Sequence, residues 1–249
     1  MVYLKTEEEI EKIRTASRYA MEILFYLKEF IKEGIRTKDL EKLCEERLKK
    51  SKKIKPAFKG YNGYPYTLCV SVNEEVVHGM PSDRVLKEGD IVSLDFGVVY
   101  EGYYGDVAYT FAVGKISKEA ERLIKVTEEA LYKGIEMARE GNRLYDISFA
   151  IQSHVEKNGF SVVREFVGHG IGRSLHEEPQ IPNFGEKGTG MRLKKGMVFA
   201  IEPMVNMGRS EVSIRENGWT AYAKDMSLSA HFEHTVAITD DGPEILSRV

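Results

Sequence analysis

The sequence has few of the features that mark secreted, membrane-bound or nucleic-acid-binding proteins. Its 249 residues include only two cysteines, too few for a disulfide framework, and they form no Cys-x-x-Cys zinc motif. No apolar run approaches the roughly 20 residues of a membrane span, and we expect no secretory signal at the N-terminus. A net charge of −3 argues against a polyanion as the main partner. We therefore expect a cytoplasmic protein with no membrane and no specific nucleic acid among its partners.

Helical and strand-like patterns alternate along the whole chain without a linker. Thr6 and Glu9 predict a capping box for a helix that ends near Gly34, and Thr37 opens a second helix. Strands at 68–72, 91–100 and 104–113 follow, then helices at 117–139 and 144–157, then strands at 161–167, 197–201, 211–214, 219–223 and 230–239. The repeated order predicts one α+β domain over residues 1–249, with two similar halves and a curved, mostly antiparallel sheet.

Five potential metal ligands lie within or at the end of apolar, strand-like segments. Carboxylates are rarely buried in strands, because a buried charge has to be paired or bound to a metal. Four acids and one histidine in such positions predict one polynuclear metal centre. These residues are Asp95, Asp106, His169, Glu202 and Glu233.

Two of these acids lie on strands that we expect to form a hairpin. The Glu-Gly pair at 101–102 is a turn signal, so Asp95 and Asp106 should approach each other across the ladder. Two close carboxylates repel, and one is protonated unless a cation lies between them. Either acid alone could be a turn or edge residue. The nearby glycines Gly97 and Gly105 favour a site, because they weaken a strand that needs no close approach.

His169 and Glu202 occupy positions that suit ligands. His169 lies in Gly-His-Gly-Ile-Gly, whose glycine spacing differs from that of a dinucleotide-binding turn. Glu202 is followed by Pro203, which cannot donate to a sheet, so the strand should end there. We therefore expect His169 to be a ligand on a glycine-rich, open segment of backbone and Glu202 to lie at the end of a strand.

Glu233 is flanked by two histidines, and the pattern leaves open which of the three residues enters the site. Strand alternation places His231 on the same face as Glu233 and His234 on the other face.

Six segments, taken together, resemble type I methionine aminopeptidases over nearly the whole chain. They are NEEVVHGMP around His78, SLDFG around Asp95, GYYGDVAYTF around Asp106, GHGIGRSLHEEPQIPNF from Gly168, FAIEPM around Glu202 and SLSAHFEHTVAIT around Glu233. The resemblance implies the pita-bread fold with the active site at the centre of the sheet. It also implies removal of the N-terminal methionine from nascent proteins and peptides whose second residue is small.

The resemblance assigns a role to each ligand of a dinuclear centre. Asp106 and Glu233 match the bridging carboxylates, His169 and Glu202 match ligands of one metal, and Asp95 matches a ligand of the other. Gly97 departs from the small hydroxyl residue that is common after the first aspartate, so the affinity of the second metal is an open point.

The same resemblance assigns the catalytic and substrate-binding residues. His78 matches a histidine near the substrate amide nitrogen, His176 one that binds the substrate carbonyl, and Glu202 can carry the proton. The residues that match the methionine side-chain pocket or contact the substrate are Phe58, Tyr61, Tyr64, Cys69, His78, Leu175, His176 and Trp219. Phe58 and Leu175 lie at positions where other members often differ. From pattern alone, His176 reads slightly better as a surface histidine.

The ligand set also indicates the chemistry. Four carboxylates balance two divalent cations, and one histidine with four oxygen ligands favours Mn, Fe or Co, while Zn also fits by affinity. A water bound to two cations would supply the hydroxide that attacks the scissile carbonyl. We expect a monomer that acts on the N-termini of nascent polypeptides, with the ribosome as a candidate docking partner. The alternatives are a prolidase or X-Pro aminopeptidase, a metal-free creatinase-like enzyme, and a non-catalytic binding protein of the same fold.

Overall fold

The computed structural model describes residues 2–249, which form four α-helices and fifteen β-strands. The helices are α1 (Glu7–Lys28), α2 (Thr37–Leu48), α3 (Lys118–Met137) and α4 (Leu144–Lys157). The strands are β1 (Ile54–Pro56), β2 (Cys69–Val72), β3 (Glu75–Val77), β4 (Ile91–Tyr100), β5 (Tyr103–Ala112), β6 (Ser161–Val162), β7 (Gly168–Gly170), β8 (Glu177–Ile181), β9 (Val198–Ile201), β10 (Met204–Asn206), β11 (Val212–Ile214), β12 (Ala221–Ala223), β13 (Ser229–His231), β14 (His234–Thr239) and β15 (Gly242–Ile245). None of the helices in residues 2–249 has the length and apolar character that crossing a membrane requires.

The four predicted helices are present, but α1 ends at Lys28, six residues before the predicted end near Gly34. Thr6 and Glu9 form the capping box of α1, in which each side chain binds the backbone N–H of the other residue. Helix α2 begins at Thr37, as predicted, and α4 spans the predicted residues. Asn158 caps α4, and Gly159 follows with a φ of 77° that favours glycine.

Each half of the chain packs a pair of helices on its own strands. In the first half, apolar side chains of α1 and α2 pack with those of β2, β4 and β5. In the second half, α3 and α4 pack with β9, β10, β13 and β14. The two predicted halves are therefore present, each with its own hydrophobic core.

All strand pairs in the described residues are antiparallel, but the ladder is interrupted. The hydrogen-bonded groups are β1-β4-β2 with β5 beside β4, β13-β10-β6, β11-β12-β3, and β15-β14-β9-β7-β8. The β4–β5 hairpin turns at Glu101 and Gly102, whose φ values of 48° and 83° suit a tight two-residue hairpin turn. The turn predicted from the sequence is thus confirmed.

Two of the predicted strands differ from the structure. Segment 230–239 is interrupted at Phe232 and Glu233, where Glu233 pairs with Ala108 of β5 in an isolated bridge. The prediction was wrong there because apolar residues continue through the break and conceal it. Segment 161–167 is extended only at Ser161–Val162 before the chain turns toward β7. The short strands β1, β3, β7, β8, β10 and β15 were not predicted, because none carries a long alternating pattern.

The isolated bridge joins the two halves. The Glu233 N–H donates to the Ala108 carbonyl at 2.9 Å. Thr235 bonds both backbone groups of Asp106, since its hydroxyl donates to the carbonyl at 2.8 Å and accepts from the N–H at 3.1 Å. Strand β5 and the segment that joins β13 to β14 are therefore fixed against each other at the seam between the halves.

Helix α1 approaches β5 most closely at Gly105. A Cβ atom at residue 105 would lie 2.3 Å from the backbone N of Ser17. We predict that Gly105→Ala costs about 3 kcal/mol in the free energy of unfolding, because helix backbone cannot yield as a side chain can. Urea denaturation measures the loss. Gly102→Ala is the control, since its Cβ meets nothing within 4 Å and only its positive φ costs roughly 1 kcal/mol. Equal losses in the two variants would contradict the close packing.

Candidate metal centre

The β4–β5 hairpin brings Asp95 and Asp106 to one face of the sheet. Asp95 pairs with Ala108, and Gly97 pairs with Asp106, so the two acids are diagonal neighbours across the ladder. A Cβ atom at residue 97 would lie 2.8 Å from the Phe58 ring and 3.2 Å from Asp106 Oδ1. The absence of a side chain at Gly97 therefore leaves room for both the Asp106 carboxylate and the Phe58 ring.

The second half contributes His169, Glu202 and Glu233 to the same place. His169 lies on β7 beside Ala200 of β9, and Glu202 follows the end of β9, where Pro203 stops the strand as predicted. His169 Nε2 lies 3.4 Å from Glu202 Oε1 and 3.9 Å from Asp106 Oδ2. His169 Nδ1 is 2.9 Å from the Gly170 carbonyl, which can accept a hydrogen bond from the Nδ1–H group. That bond leaves the Nε2 lone pair directed at the carboxylates.

The ionisation of the four acids is strongly perturbed. Burial raises the pKa of Asp95, Glu202 and Glu233 well above its ordinary value, and repulsion between the neighbouring acids raises it further. Burial also raises the pKa of Asp106 to about 7. Four carboxylates in one buried cluster cannot all be ionised without a compensating positive charge.

Polar atoms without partners show the same need for a cation. Within residues 2–249, Asp95 Oδ1 and Glu233 Oε1 are buried and have no hydrogen-bond partner. Two sets of ligand atoms lie within 4.8 Å of one another, Asp106 with His169 and Glu233, and Glu202 with His231 and Glu233. Glu233 belongs to both sets. The donors therefore fit divalent cations, and a carboxylate shared between two adjacent sites is available.

The sequence left open which of the histidines around Glu233 enters the site. His231 lies 3.5 Å from Glu202 through Nε2 and Oε2, and within residues 2–249 neither ring nitrogen makes a hydrogen bond. Burial lowers the pKa of His231 to about 3, so its ring is neutral. His234 points away, with Nδ1 2.7 Å from Ser247 Oγ. The predicted faces are confirmed, and His231 joins the ligand groups although it was not assigned as a ligand.

One cleft of about 140 Å³ is lined by every residue predicted for the site. Its lining consists of Phe58, Tyr61, Asn62, Tyr64, Cys69, His78, Asp95, Asp106, His169, Leu175, His176, Glu202, Trp219 and Glu233. Asn62 was not predicted. The Asn-Gly pair at 62–63 is a turn signal, and Asn62 has a φ of 47°, but a turn signal gives no indication of a site.

The apolar part of the cleft is built from residues of both halves. Phe58, Cys69 and Leu175 are almost fully buried. The Trp219 and Tyr64 rings meet edge to face with centroids 5.1 Å apart. Since aromatic rings, a sulfur atom and an aliphatic side chain surround it, this part suits a flexible apolar side chain, such as a thioether.

His176 is an exposed residue, as the pattern alone indicated, and it also lines the cleft. Its ring centroid lies 4.3 Å from that of His169, and Nδ1 lies 2.8 Å from the Tyr61 hydroxyl. The side chain is open to the cleft but enclosed elsewhere, and this desolvation lowers its pKa. His176 is therefore a neutral imidazole that can donate or accept a hydrogen bond in the cleft.

His78 also lines the cleft, and its backbone has a positive φ that residues other than glycine rarely adopt. Its φ is 58°, and its ring meets Phe166 edge to face at 5.3 Å. Burial, with a smaller contribution from His176, lowers the pKa of His78 to about 4. The Thr220 hydroxyl donates to the His78 carbonyl at 3.4 Å and accepts from the Met80 N–H at 3.3 Å. These contacts hold the unusual backbone in place.

The fold and the cluster of acids and histidines define the class of protein as a metallopeptidase. Residues 11–240 match the model of metallopeptidase family M24. Methionine aminopeptidase 1 of Bacillus subtilis is 52% identical over 249 residues and 100% of each chain. The chain belongs to family M24 and, within it, to the methionine aminopeptidases, and the predicted pita-bread fold is confirmed.

Solved structures agree with this family. The crystal structure of methionine aminopeptidase from Thermotoga maritima matches 100% of both chains with a TM-score of 0.98 and 52% identity. Prolidase from Pyrococcus furiosus matches with a TM-score of 0.81 and 26% identity, and the match covers 99% of this chain and 65% of the prolidase. The prolidase therefore shares the fold at lower identity and over part of its own length.

The raised pKa values predict how cation binding depends on pH. In the metal-free protein the raised pKa values favour the protonated forms of these acids, and a cation has to displace the protons that they hold. We expect cation binding to release protons and its apparent affinity to rise as the pH increases through about 7, the pKa of Asp106. Titration calorimetry with Mn²⁺ in two buffers of different ionisation enthalpy counts the protons. Identical heats in both buffers would contradict a protonated metal-free cluster.

Proposed function

We propose that this chain hydrolytically removes the N-terminal methionine from nascent polypeptides and peptides whose second residue is small. The observation that carries the proposal is the position of the apolar pocket. Tyr64, Cys69 and Trp219 line the same cleft as the cluster of acids and histidines. An apolar side chain bound there would leave the adjoining peptide bond beside the polar cluster.

We propose two divalent cations held by Asp95, Asp106, His169, Glu202 and Glu233, with Asp106 and Glu233 as shared ligands. The inclusion of Glu233 in both ligand groups supports its shared role. Mn, Fe or Co suits the oxygen-rich donor set, and Zn fits by affinity. When bound, the cations would polarise the scissile carbonyl and lower the pKa of a water molecule. His231, beside Glu202, is proposed to orient that carboxylate.

The protein's own groups then have separate tasks. Glu202 holds and transfers the proton, because its buried carboxylate binds a proton more tightly than an exposed one does. The Tyr61 hydroxyl can donate a hydrogen bond to His176 Nδ1, so the proton of the neutral imidazole lies on Nε2. The Nε2–H can then donate a hydrogen bond to the substrate carbonyl oxygen as negative charge develops there. His78 is neutral near pH 7 and is assigned to the scissile amide nitrogen.

The proposal also includes the setting of the reaction. It assigns the enzyme to the cytoplasm as a monomer, with the ribosome as a candidate docking partner. A prolidase-like activity on X-Pro peptides is the second candidate, because a prolidase shares the fold with a TM-score of 0.81. The apolar pocket favours the methionine hypothesis, because its aromatic rings and sulfur atom suit the side chain of an N-terminal methionine.

The proposed activity is tested with peptides that differ at the first two residues. We expect cleavage of Met-Ala peptides, little cleavage of X-Pro peptides, loss of turnover after chelation and recovery with Mn²⁺, Fe²⁺ or Co²⁺. The reason is that the centre needs cations while the pocket selects the side chain. Turnover is measured from the released free methionine. Full activity of a rigorously metal-free preparation, or a preference for X-Pro peptides, would refute the proposal.

His176 can be separated from the ligands by mutation. We expect His176→Ala to lower kcat on the order of 10²–10³-fold, because one hydrogen-bond donor to the developing oxyanion is lost. Its metal content should remain that of the unmodified protein. Steady-state kinetics and elemental analysis measure both quantities. His154→Ala is the control, because His154 lies outside the cleft and pairs with Glu129. A metal content near zero in His176→Ala would make His176 a ligand instead.

A further inference from the structure

The segment from Gly172 to His176 carries two cleft residues but belongs to no strand. It lies between β7 and β8, and it presents Leu175 and His176 to the cleft. A backbone outside a ladder has to be fixed by other contacts if its side chains are to be held in one geometry. The question is which groups fix this segment.

The Glu177 carboxylate closes the segment on itself. Its Oε1 accepts the backbone N–H groups of Arg173 at 2.7 Å and of Ser174 at 3.2 Å. The residues that precede His176 are thus tied to the residue that follows it. The Glu177 side chain is only 11% exposed, so its charge also needs compensation.

That compensation comes from Lys5, 172 residues earlier in the chain. Lys5 Nζ lies 2.6 Å from Glu177 Oε2, and its side chain is 5% exposed. Lys5 is fixed in turn, because Nζ donates to the Tyr3 carbonyl at 3.1 Å and the backbone N–H donates to the Gly196 carbonyl at 2.7 Å. The ammonium group is therefore held in place before it meets the carboxylate.

The fit around this ion pair is tight. A Cβ atom at residue 172 would lie 2.5 Å from Lys5 Cε and 2.8 Å from Glu177 Oε1. A second ion pair joins Arg173 of the segment to Glu9 of α1, but it leaves the Arg173 side chain 73% exposed and contributes little. The buried pair is the stronger restraint of the two.

We propose that Lys5, acting through Glu177, is a positioning residue that sets the placement of His176 and Leu175 in the cleft. Lys5 does not line the cleft, so it contacts neither the substrate nor the proposed cations. Its effect on the reaction passes through the backbone of the segment. This inference rests on the proposed function, because it takes the placement of His176 to limit turnover.

The test compares Lys5→Met with a matched control. Arg14→Met removes two ion pairs of α1, to Glu244 at 2.6 Å and to Glu11 at 2.9 Å, and neither partner lies in residues 172–177. For Lys5→Met we expect kcat to fall roughly 10- to 100-fold, since small misplacements of reacting groups have effects of that size. KM and metal content should change less, Lys5→Arg should restore part of kcat, and Arg14→Met should retain kcat.

A second measurement does not depend on activity. In Lys5→Met, hydrogen exchange of the Arg173 and Ser174 amides should become faster than in the unmodified protein and in Arg14→Met. Equal kcat and equal exchange in the Lys5 and Arg14 variants would overturn the proposal. A fall in kcat without faster exchange would also overturn it, because the segment would then not carry the effect.

A third variant covers the case in which Lys5→Met does not fold. Glu177→Gln retains an oxygen for the Arg173 and Ser174 amides but loses the charge that pairs with Lys5, so the same fall in kcat is expected. Unchanged kcat in this variant would overturn the proposal. Failure of the proposed function is recognised separately, because the unmodified protein would then release no methionine while the exchange difference could still be measured.

Discussion

The constraint on which the rest of this structure depends is the confinement of four carboxylates in one buried cluster. Asp95 and Asp106 come from the first half, and Glu202 and Glu233 from the second, so neither half contains the cluster alone. Their mutual repulsion opposes the association of the halves unless protons or cations neutralise it. The contacts of Thr235 with Asp106 and of Glu233 with Ala108 hold the seam closed. Cation binding and the docking of the halves are therefore linked through the same residues.

The candidate metal ligands could be picked out from the sequence because of where they lie. Each is an acid or histidine within or beside an apolar strand, a context in which a charged group is conspicuous. The β4–β5 hairpin was predictable for a related reason, since two long alternating segments flank a Glu-Gly turn. The break at Phe232 and Glu233 was not, because the apolar pattern continues through it. The local hydrophobic pattern predicts which residues are buried, but it does not predict with which strand each residue pairs.

The substrate-facing residues were much harder to recognise without the family resemblance. His78 and Asn62 have positive φ values, and His176 lies in a segment outside any strand. Such residues carry no periodic signal, since their side-chain directions are set by contacts made elsewhere in the fold. For that reason, the local sequence around His176 indicated only a surface residue. Its hydrogen-bond partner Tyr61 lies 115 residues away in the sequence and meets it only in the folded chain.

The two kinds of residue differ in how they are held, and this difference suits their tasks. The candidate ligands on strands and at strand ends are fixed by backbone ladders, which keeps the oxygen and nitrogen donors at constant separations. The two histidines proposed to meet the substrate lie outside strands and are fixed by side chains, as Thr220 fixes His78 and Glu177 fixes the segment before His176. Changes in Lys5 or Thr220 would therefore alter how substrate is oriented while leaving the donor set intact. The two groups of residues are therefore not equally visible in the sequence. Strands have an alternating hydrophobic pattern, whereas a hydrogen bond between residues far apart in the sequence has no such pattern.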